Sequence, residues 1–257
     1  MRNDNLGDRM KTYENVTRTY LTRRTPVIIR IDGKAFHTFT KGFAKPFDEV
    51  MVKSMQDTMK YLCENVEGCV LGYTQSDEIT LVLCDYKKLT SQAWFDNNIQ
   101  KMCSVSASMA TMAFNKFFYD NMPGFIKPSY YKALENGAMF DSRVFNIPKE
   151  EVNNCLLWRQ LDATRNSIQS VAQANFSCKQ LHGKNCNELQ EMLWQEKGVN
   201  WNDYPTHLKR GSCCVKTAQE FTAPNGEIVM RSQWVVDEEI PIFSQDTAYV
   251  NSRIVFD

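Results

Sequence analysis

The sequence predicts an α+β fold built around a largely antiparallel sheet, and three observations carry that expectation. Short β-branched runs such as Val27-Ile28-Ile29-Arg30-Ile31 end in tight turns. The segments run α, β, α, ββ, α, β, α and then mixed, without the strict alternation of a parallel sheet. The 257 residues, 43% apolar and 23% charged, suffice for a well-buried core, as one large domain or as a core domain with a helical appendage.

Residues 4–22 read as a polar helix closed by the basic turn Thr22-Arg23-Arg24-Thr25-Pro26. The first strand, 27–31, meets Asp32-Gly33. After a loop through Lys41-Gly42-Phe43-Ala44-Lys45-Pro46, Val50, Met51, Met55, Met59 and Leu62 give 47–66 a helical period, with the methionines as core. Residues 69–73 and 79–83 flank the polar turn Thr74-Gln75-Ser76-Asp77-Glu78 as a hairpin. A long helix is expected over 92–119, its small residues suited to packing on a sheet, then a strand at 144–147. Pro148 occupies the first position of a helix to about Phe176, with Glu150 and Glu151 in its first turn. Residues 186–196 read as helix, and 212–221 and 228–236 as strands around Pro224-Asn225-Gly226.

No apolar run reaches the roughly 18–20 residues of a membrane span, and the charged N-terminus lacks a signal peptide's apolar stretch. The expectation is a cytoplasmic protein without membrane contact. Nine scattered cysteines, with no Cys-x-x-Cys pair, indicate reduced thiols. His37, His182 and His207 lie too far apart in sequence to suggest zinc. Net charge is zero, but residues 1–30 hold seven basic residues against three acidic ones. A local patch of that kind can hold phosphates on a neutral protein, although a solvated helix face looks the same.

Asp32 ends one strand and Asp77 precedes another, so their carboxylates can converge on a divalent cation. Mg²⁺ favours one or two carboxylates with waters and phosphate oxygens. Gly33 leaves its backbone open to such a ligand. Glu78 points to the opposite face if it is already in the strand. Solvated turn carboxylates give the same spacing, so spacing alone leaves both readings open. Arg159, Asp162, Asn166 and Gln169 form one polar helix stripe, facing either a site or solvent. Tyr130-Tyr131, beside Lys127 and Lys132, suit RNA stacking or, preferably, partial core burial.

Arg30-Ile31-Asp32-Gly33-Lys34-Ala35-Phe36-His37-Thr38-Phe39, followed by Phe43-Ala44-Lys45-Pro46-Phe47-Asp48, resembles the nucleotide-binding signature of the tRNA-histidine guanylyltransferase family. Gln75-Ser76-Asp77-Glu78 resembles its second acidic motif and Trp158-Arg159-Gln160-Leu161-Asp162 a third. Lys209-Arg210-Gly211 is similar to a basic-glycine motif. These motifs span about residues 1–215 in the family's order.

The resemblance implies a polymerase-like palm over 1–148, with a helical and β extension over 149–257 packed as one unit. It implies 3′-to-5′ nucleotide addition to the 5′ end of tRNA. ATP adenylylates a 5′-monophosphate, the 3′-hydroxyl of GTP or another nucleotide displaces AMP, and pyrophosphate then leaves. Asp32, the Gly33 carbonyl and Asp77 would hold two Mg²⁺ ions, with Asp32, Asp77, Lys45 and Glu78 as the catalytic set. Asp32 to His37 (with Gly33, Lys34, Ala35 and Phe36), Ser76, Asp77, Asp48 and Lys101 would contact nucleotide, Asp48 also orienting the loop. Arg159, Asp162, Arg165, Asn166, Lys209 and Arg210 are candidates for tRNA contact. A homotetramer is implied, so that one tRNA spans subunits.

Two departures from the family's eukaryotic members stand out. Asp96-Asn97-Asn98 replaces a basic run, and Thr164-Arg165-Asn166-Ser167 replaces a His-Ile-Asn-Asn string. Both resemble the bacterial and archaeal guanylyltransferase-like branch, which implies template-dependent repair of 5′-truncated tRNA. Addition of a single guanosine to histidine tRNA is the alternative. A palm-type nucleotide cyclase and a tRNA-binding module without chemistry are more distant ones.

Overall fold

The computed structural model describes residues 6–124, 127–222 and 228–256. Among these, six strands form one sheet: β1 (Val27–Gly33), β2 (Cys69–Gln75), β3 (Glu78–Leu83), β4 (Phe140–Asn146), β5 (Ser212–Thr222) and β6 (Ile228–Asp237). Their order is β4-β1-β3-β2-β5-β6, and every neighbouring pair is antiparallel. The expected α+β class with an antiparallel sheet is what forms. Because β5 pairs with β2, residues on both sides of position 148 share the sheet.

Strand alternation divides the core. Val27, Ile29 and Ile31 of β1, with Ile79, Leu81 and Leu83 of β3, pack on α3 (Glu49–Asn65) and α4 (Ile99–Asp120) through Met55, Met59, Leu62 and Phe114. Ile28 and Val82 face the other way, onto Val152 and Leu156 of α6 (Lys149–Asn175) and onto Ile240, Phe243 and Val250. A third cluster joins the far half of α6 to α8 (Cys186–Lys197) and Trp201. Arg30 and Asp32 therefore share the α6 face.

Several boundaries differ from expectation. Helix α1 covers only Leu6–Asn15 and buries none of its residues, so no packing extends it towards residue 22. The long helix starts at Ile99, not 92, because Phe95, Asp96 and Asn97 all adopt left-handed backbone, after which the Asn98 side chain caps α4. Pro148 precedes α6, which begins at Lys149, so it stands at the N-cap position and not at the first helical one. Among the described residues five short helices were not expected: α2 (Phe36–Phe39), α5 (Pro128–Asn136), α7 (Cys178–Leu181), α9 (Thr206–Arg210) and α10 (Ala248–Asn251). The turn at 224–226 lies outside the described residues. The methionine stripe is core, with Met51, Met55 and Met59 buried; Tyr130 is buried and Tyr131 exposed. No helix among the described residues is long and apolar enough to cross a membrane.

The basic excess near the N-terminus is partly engaged inside the fold. Arg23 Nε and the Arg24 backbone N–H donate to the buried Asp85 carboxylate at 2.7 and 2.8 Å. Those groups fix the chain entering β1.

Candidate active site

The β2–β3 turn contains only Ser76 and Asp77, with Ser76 at φ 50°. Register sets Asp32 opposite Glu78, and the Gly33 N–H donates to the Asp77 carbonyl at 3.0 Å. Two carboxylates from distant segments thus meet at one end of the sheet. Gly33 is required here because a Cβ would stand 2.3 Å from the Phe36 ring. Burial pushes the Asp77 carboxyl above its ordinary range, the Ser76 hydroxyl (3.0 Å) pulls it back, and the Asp32 charge pushes it up again. Asp32 is one-third exposed. Its Oδ2 lies 3.8 Å from Arg30 and 3.9 Å from Arg143, too far for hydrogen bonds and so open to another ligand. Among the described residues no three His, Cys, Asp or Glu side chains form a metal cage. Two carboxylates beside the Gly33 backbone make an open oxygen site instead, the sort that Mg²⁺ takes.

Glu78 lies inside the strand and turns towards α6, which places it on the same face as its cross-strand partner Asp32 and not on the opposite one. Its Oε2 accepts from Arg159 Nη1 at 3.0 Å and lies 3.6 Å from Arg30 Nε, while Oε1 is buried without a partner. Burial raises its carboxyl above the usual range, and the two guanidinium groups oppose this. Arg159 is buried by this contact and by Asp162 at 3.5 Å, so its guanidinium is not presented to a large ligand. Asp162 also accepts from Arg165 and Asn166.

Beyond Gly33 and the Ser76-Asp77 turn opens a cavity of about 570 Å³. Its apolar wall is Phe43, Met51, Val52 and Met55, and its polar end is Gln56, Ser212 and His207. Of the residues singled out in the sequence, Gly33, Ala35, Phe36, His37, Lys45, Asp48, Ser76, Asp77 and Asn166 line it. Asp32, Lys34, Glu78, Lys101, Arg159, Asp162, Arg165, Lys209 and Arg210 do not. Lys101 sits in the first turn of α4, where Ile99 N–H donates to the Thr19 carbonyl and the preceding Asn97 carbonyl accepts from Leu21, before β1 and so at the far end of that strand from Gly33. Lys209 reaches the Asn202 carbonyl at 2.6 Å, and the Arg210 carbonyl accepts from Tyr73 at 2.7 Å. In that motif Gly211 is the residue at the cavity, because a Cβ there would meet the Thr74 carbonyl at 2.5 Å.

Asp48 lines the cavity, but its oxygens are taken. It caps α3 by accepting from Met51 N–H (3.1 Å), and also accepts from Ala44 N–H (2.9 Å) and Tyr130 Oη (2.8 Å). It therefore orients the loop that carries Lys45. Gln56, His207 and Ser212 carried no sequence signal. Gln56 sits in a core-like helical stretch, and all three meet only through folding. Gln56 donates to Glu238 at 2.9 Å, and His207 Nδ1 lies 3.6 Å from the same carboxylate.

The profile of the tRNAHis guanylyltransferase family matches residues 7–148. A solved bacterial tRNAHis guanylyltransferase-like protein in complex with ATP is 47% identical, with a TM-score of 0.85 over 98% of this chain and 100% of that one. A second, in complex with GTP, is 45% identical, with a TM-score of 0.79 over 96% and 97%. The tRNAHis guanylyltransferase of Saccharomyces cerevisiae is 30% identical over 207 residues, 75% of this chain and 83% of the yeast protein. An uncharacterized protein of Acanthamoeba polyphaga mimivirus is 29% identical over 227 residues, 81% and 76% of the two chains.

Proposed function

This chain belongs to the tRNAHis guanylyltransferase family and is a nucleotidyltransferase; from that premise we propose that it adds nucleotides 3′-to-5′ to the 5′ end of tRNA under the direction of a template. The observation that supports transfer is the approach of Asp32 to Asp77 at one sheet end, beside a cavity of about 570 Å³ that Gly33, Asp77 and Lys45 line. ATP and GTP are the proposed substrates, in keeping with the complexes of the two bacterial relatives.

Asp32, Asp77 and the Gly33 carbonyl would hold Mg²⁺, which when bound supplies charge neutralisation on the attacking and leaving oxygens. The apolar wall takes the nucleobase, with Ala35, Phe36 and His37 lining the same cavity. Lys45 offers its ammonium to the phosphate whose bond breaks, held in place by the loop that Asp48 fixes. Glu78 does not act on substrate in this scheme; its two guanidinium partners hold the strand end from which Asp32 projects. The homotetramer and the template-dependent repair of truncated tRNAs come from the family resemblance, with Thr164-Arg165-Asn166-Ser167 favouring repair over single-guanosine addition.

The first test is label transfer. With Mg²⁺ and α-labelled ATP, the phosphate of 5′-monophosphorylated tRNA should take up labelled AMP as the ATP releases its β and γ phosphates as pyrophosphate. A cyclic nucleotide formed without RNA would replace this reading with the cyclase one, and tRNA binding without turnover would replace it with the binding-module one.

A further inference from the structure

Nucleotide addition joins two nucleotides, and the cavity has an apolar wall for the base of one of them. The base at the RNA end needs its own surface near Asp32. Trp158 on α6 is 51% exposed beside that site, followed one turn later by the exposed Leu161. A single exposed apolar residue is unremarked on most proteins. Trp158 differs in how it is held.

The Arg159 guanidinium lies 3.5 Å from the ring centroid and that of Arg30 5.5 Å away. Both groups also approach one oxygen, Glu78 Oε2, at 3.0 and 3.6 Å. Since Glu78 is buried, the two cations back the ring from the protein side and leave its outer surface to solvent. Arg30 also reaches Asp32 at 3.8 Å, which puts the ring one side chain away from that carboxylate. An aromatic ring fixed in advance loses little freedom when a flat partner stacks on it.

We infer that Trp158 is a stacking platform for the base of the RNA's 5′-terminal nucleotide, whose outer face no further base covers at the end of the stem. The inference rests on the transferase reading and extends it to a positioning residue. Arg159 then serves the RNA only indirectly, by backing the ring, because its own charge is engaged with Glu78 and Asp162. Stacking on an aromatic side chain tolerates any base, which suits an end whose identity changes as nucleotides are added.

The test uses full-length enzyme and tRNA with 2-aminopurine as its first nucleotide, whose fluorescence falls on stacking. Wild type should quench the probe on binding, and a probe at an interior position of the stem should not respond. Trp158→Leu, which keeps apolar bulk without the ring, should abolish the quench and weaken the RNA complex by roughly 5- to 150-fold. Trp158→Phe should restore most of both. ATP affinity and the melting temperature should be unchanged in either variant, and this excludes misfolding as the cause. Absence of quenching by wild type, or equal quenching by Trp158→Leu, overturns the platform. So does a shift in sedimentation of Trp158→Leu without any change at the probe, which would make this face a contact between proteins. A wild type that never labels RNA refutes the transferase reading itself, whereas turnover with an indifferent Trp158 refutes the platform alone.

Discussion

Asp48→Ala probes the loop that carries Lys45 and has a magnitude that follows from the structure. The carboxylate is buried and accepts from Met51 N–H, Ala44 N–H and Tyr130 Oη. Removing it leaves three donors without that partner and α3 without its cap. Loss of a cap costs about 1 kcal/mol, and each hydrogen bond to a charged group contributes about 1.5–3 kcal/mol. Water reaches some of the freed donors, so the expected loss is roughly 3–5 kcal/mol, near the upper end for single substitutions. For a chain of this length that lowers the melting temperature by roughly 6–20 °C. Asp48→Asn keeps one acceptor oxygen and should lose about half as much. Urea unfolding gives the free energy, and ATP affinity measured well below the transition reports the loop. Affinity should fall in step with stability. A loss below about 1 kcal/mol would refute the capping argument. A fully stable variant that no longer binds ATP would make Asp48 a direct nucleotide contact instead.

Three further outcomes are expected. Asp32→Ala should slow transfer by at least about a hundredfold in a folded protein; a smaller drop removes Asp32 from the metal-holding set. Lys45→Ala should slow 5′ adenylylation by about 10²–10³ with little change in tRNA affinity, and unchanged adenylylation with lost binding would make Lys45 a tRNA contact. Asp77 carries a carboxyl raised by burial, so its contribution to stability is fully present below the unfolded pKa and lost as pH rises through the folded one. Asp77→Asn should therefore raise the melting temperature at neutral pH without Mg²⁺ while abolishing transfer, and a lower melting temperature would contradict that sign.

The sheet was legible because its strands are β-branched runs closed by Asp32-Gly33 and Ser76-Asp77, and those turns carry the acidic residues. Local sequence could therefore nominate Asp32 and Asp77, and hydrogen bonding across the sheet end brings them together. Helix ends were less legible. Nothing in the composition of Phe95-Asp96-Asn97 announces three successive left-handed residues, and α1 lacks the burial that would lengthen it. Roles that depend on distant partners could not be read locally. Asp48 meets Tyr130 and Glu78 meets Arg159 only once the chain has folded. Arg159 looks in sequence like part of an open polar stripe, yet it is buried against a carboxylate from β3. Gln56, His207 and Ser212 reach the cavity from α3, α9 and β5, with no shared sequence pattern.

Template direction is the central claim, and one measurement addresses it most directly. Take a 5′-monophosphorylated tRNA lacking its first nucleotide, vary nucleotide 72 through all four bases, and measure kcat/KM for each incoming nucleotide. A templated enzyme needs only generic contacts to the incoming base, because pairing supplies the selection. The preferred nucleotide should then change with the template and pair with it each time, and addition should stop once the acceptor stem is complete. Guanosine added in preference whatever base stands at 72 would contradict the account and favour single-guanosine addition to histidine tRNA.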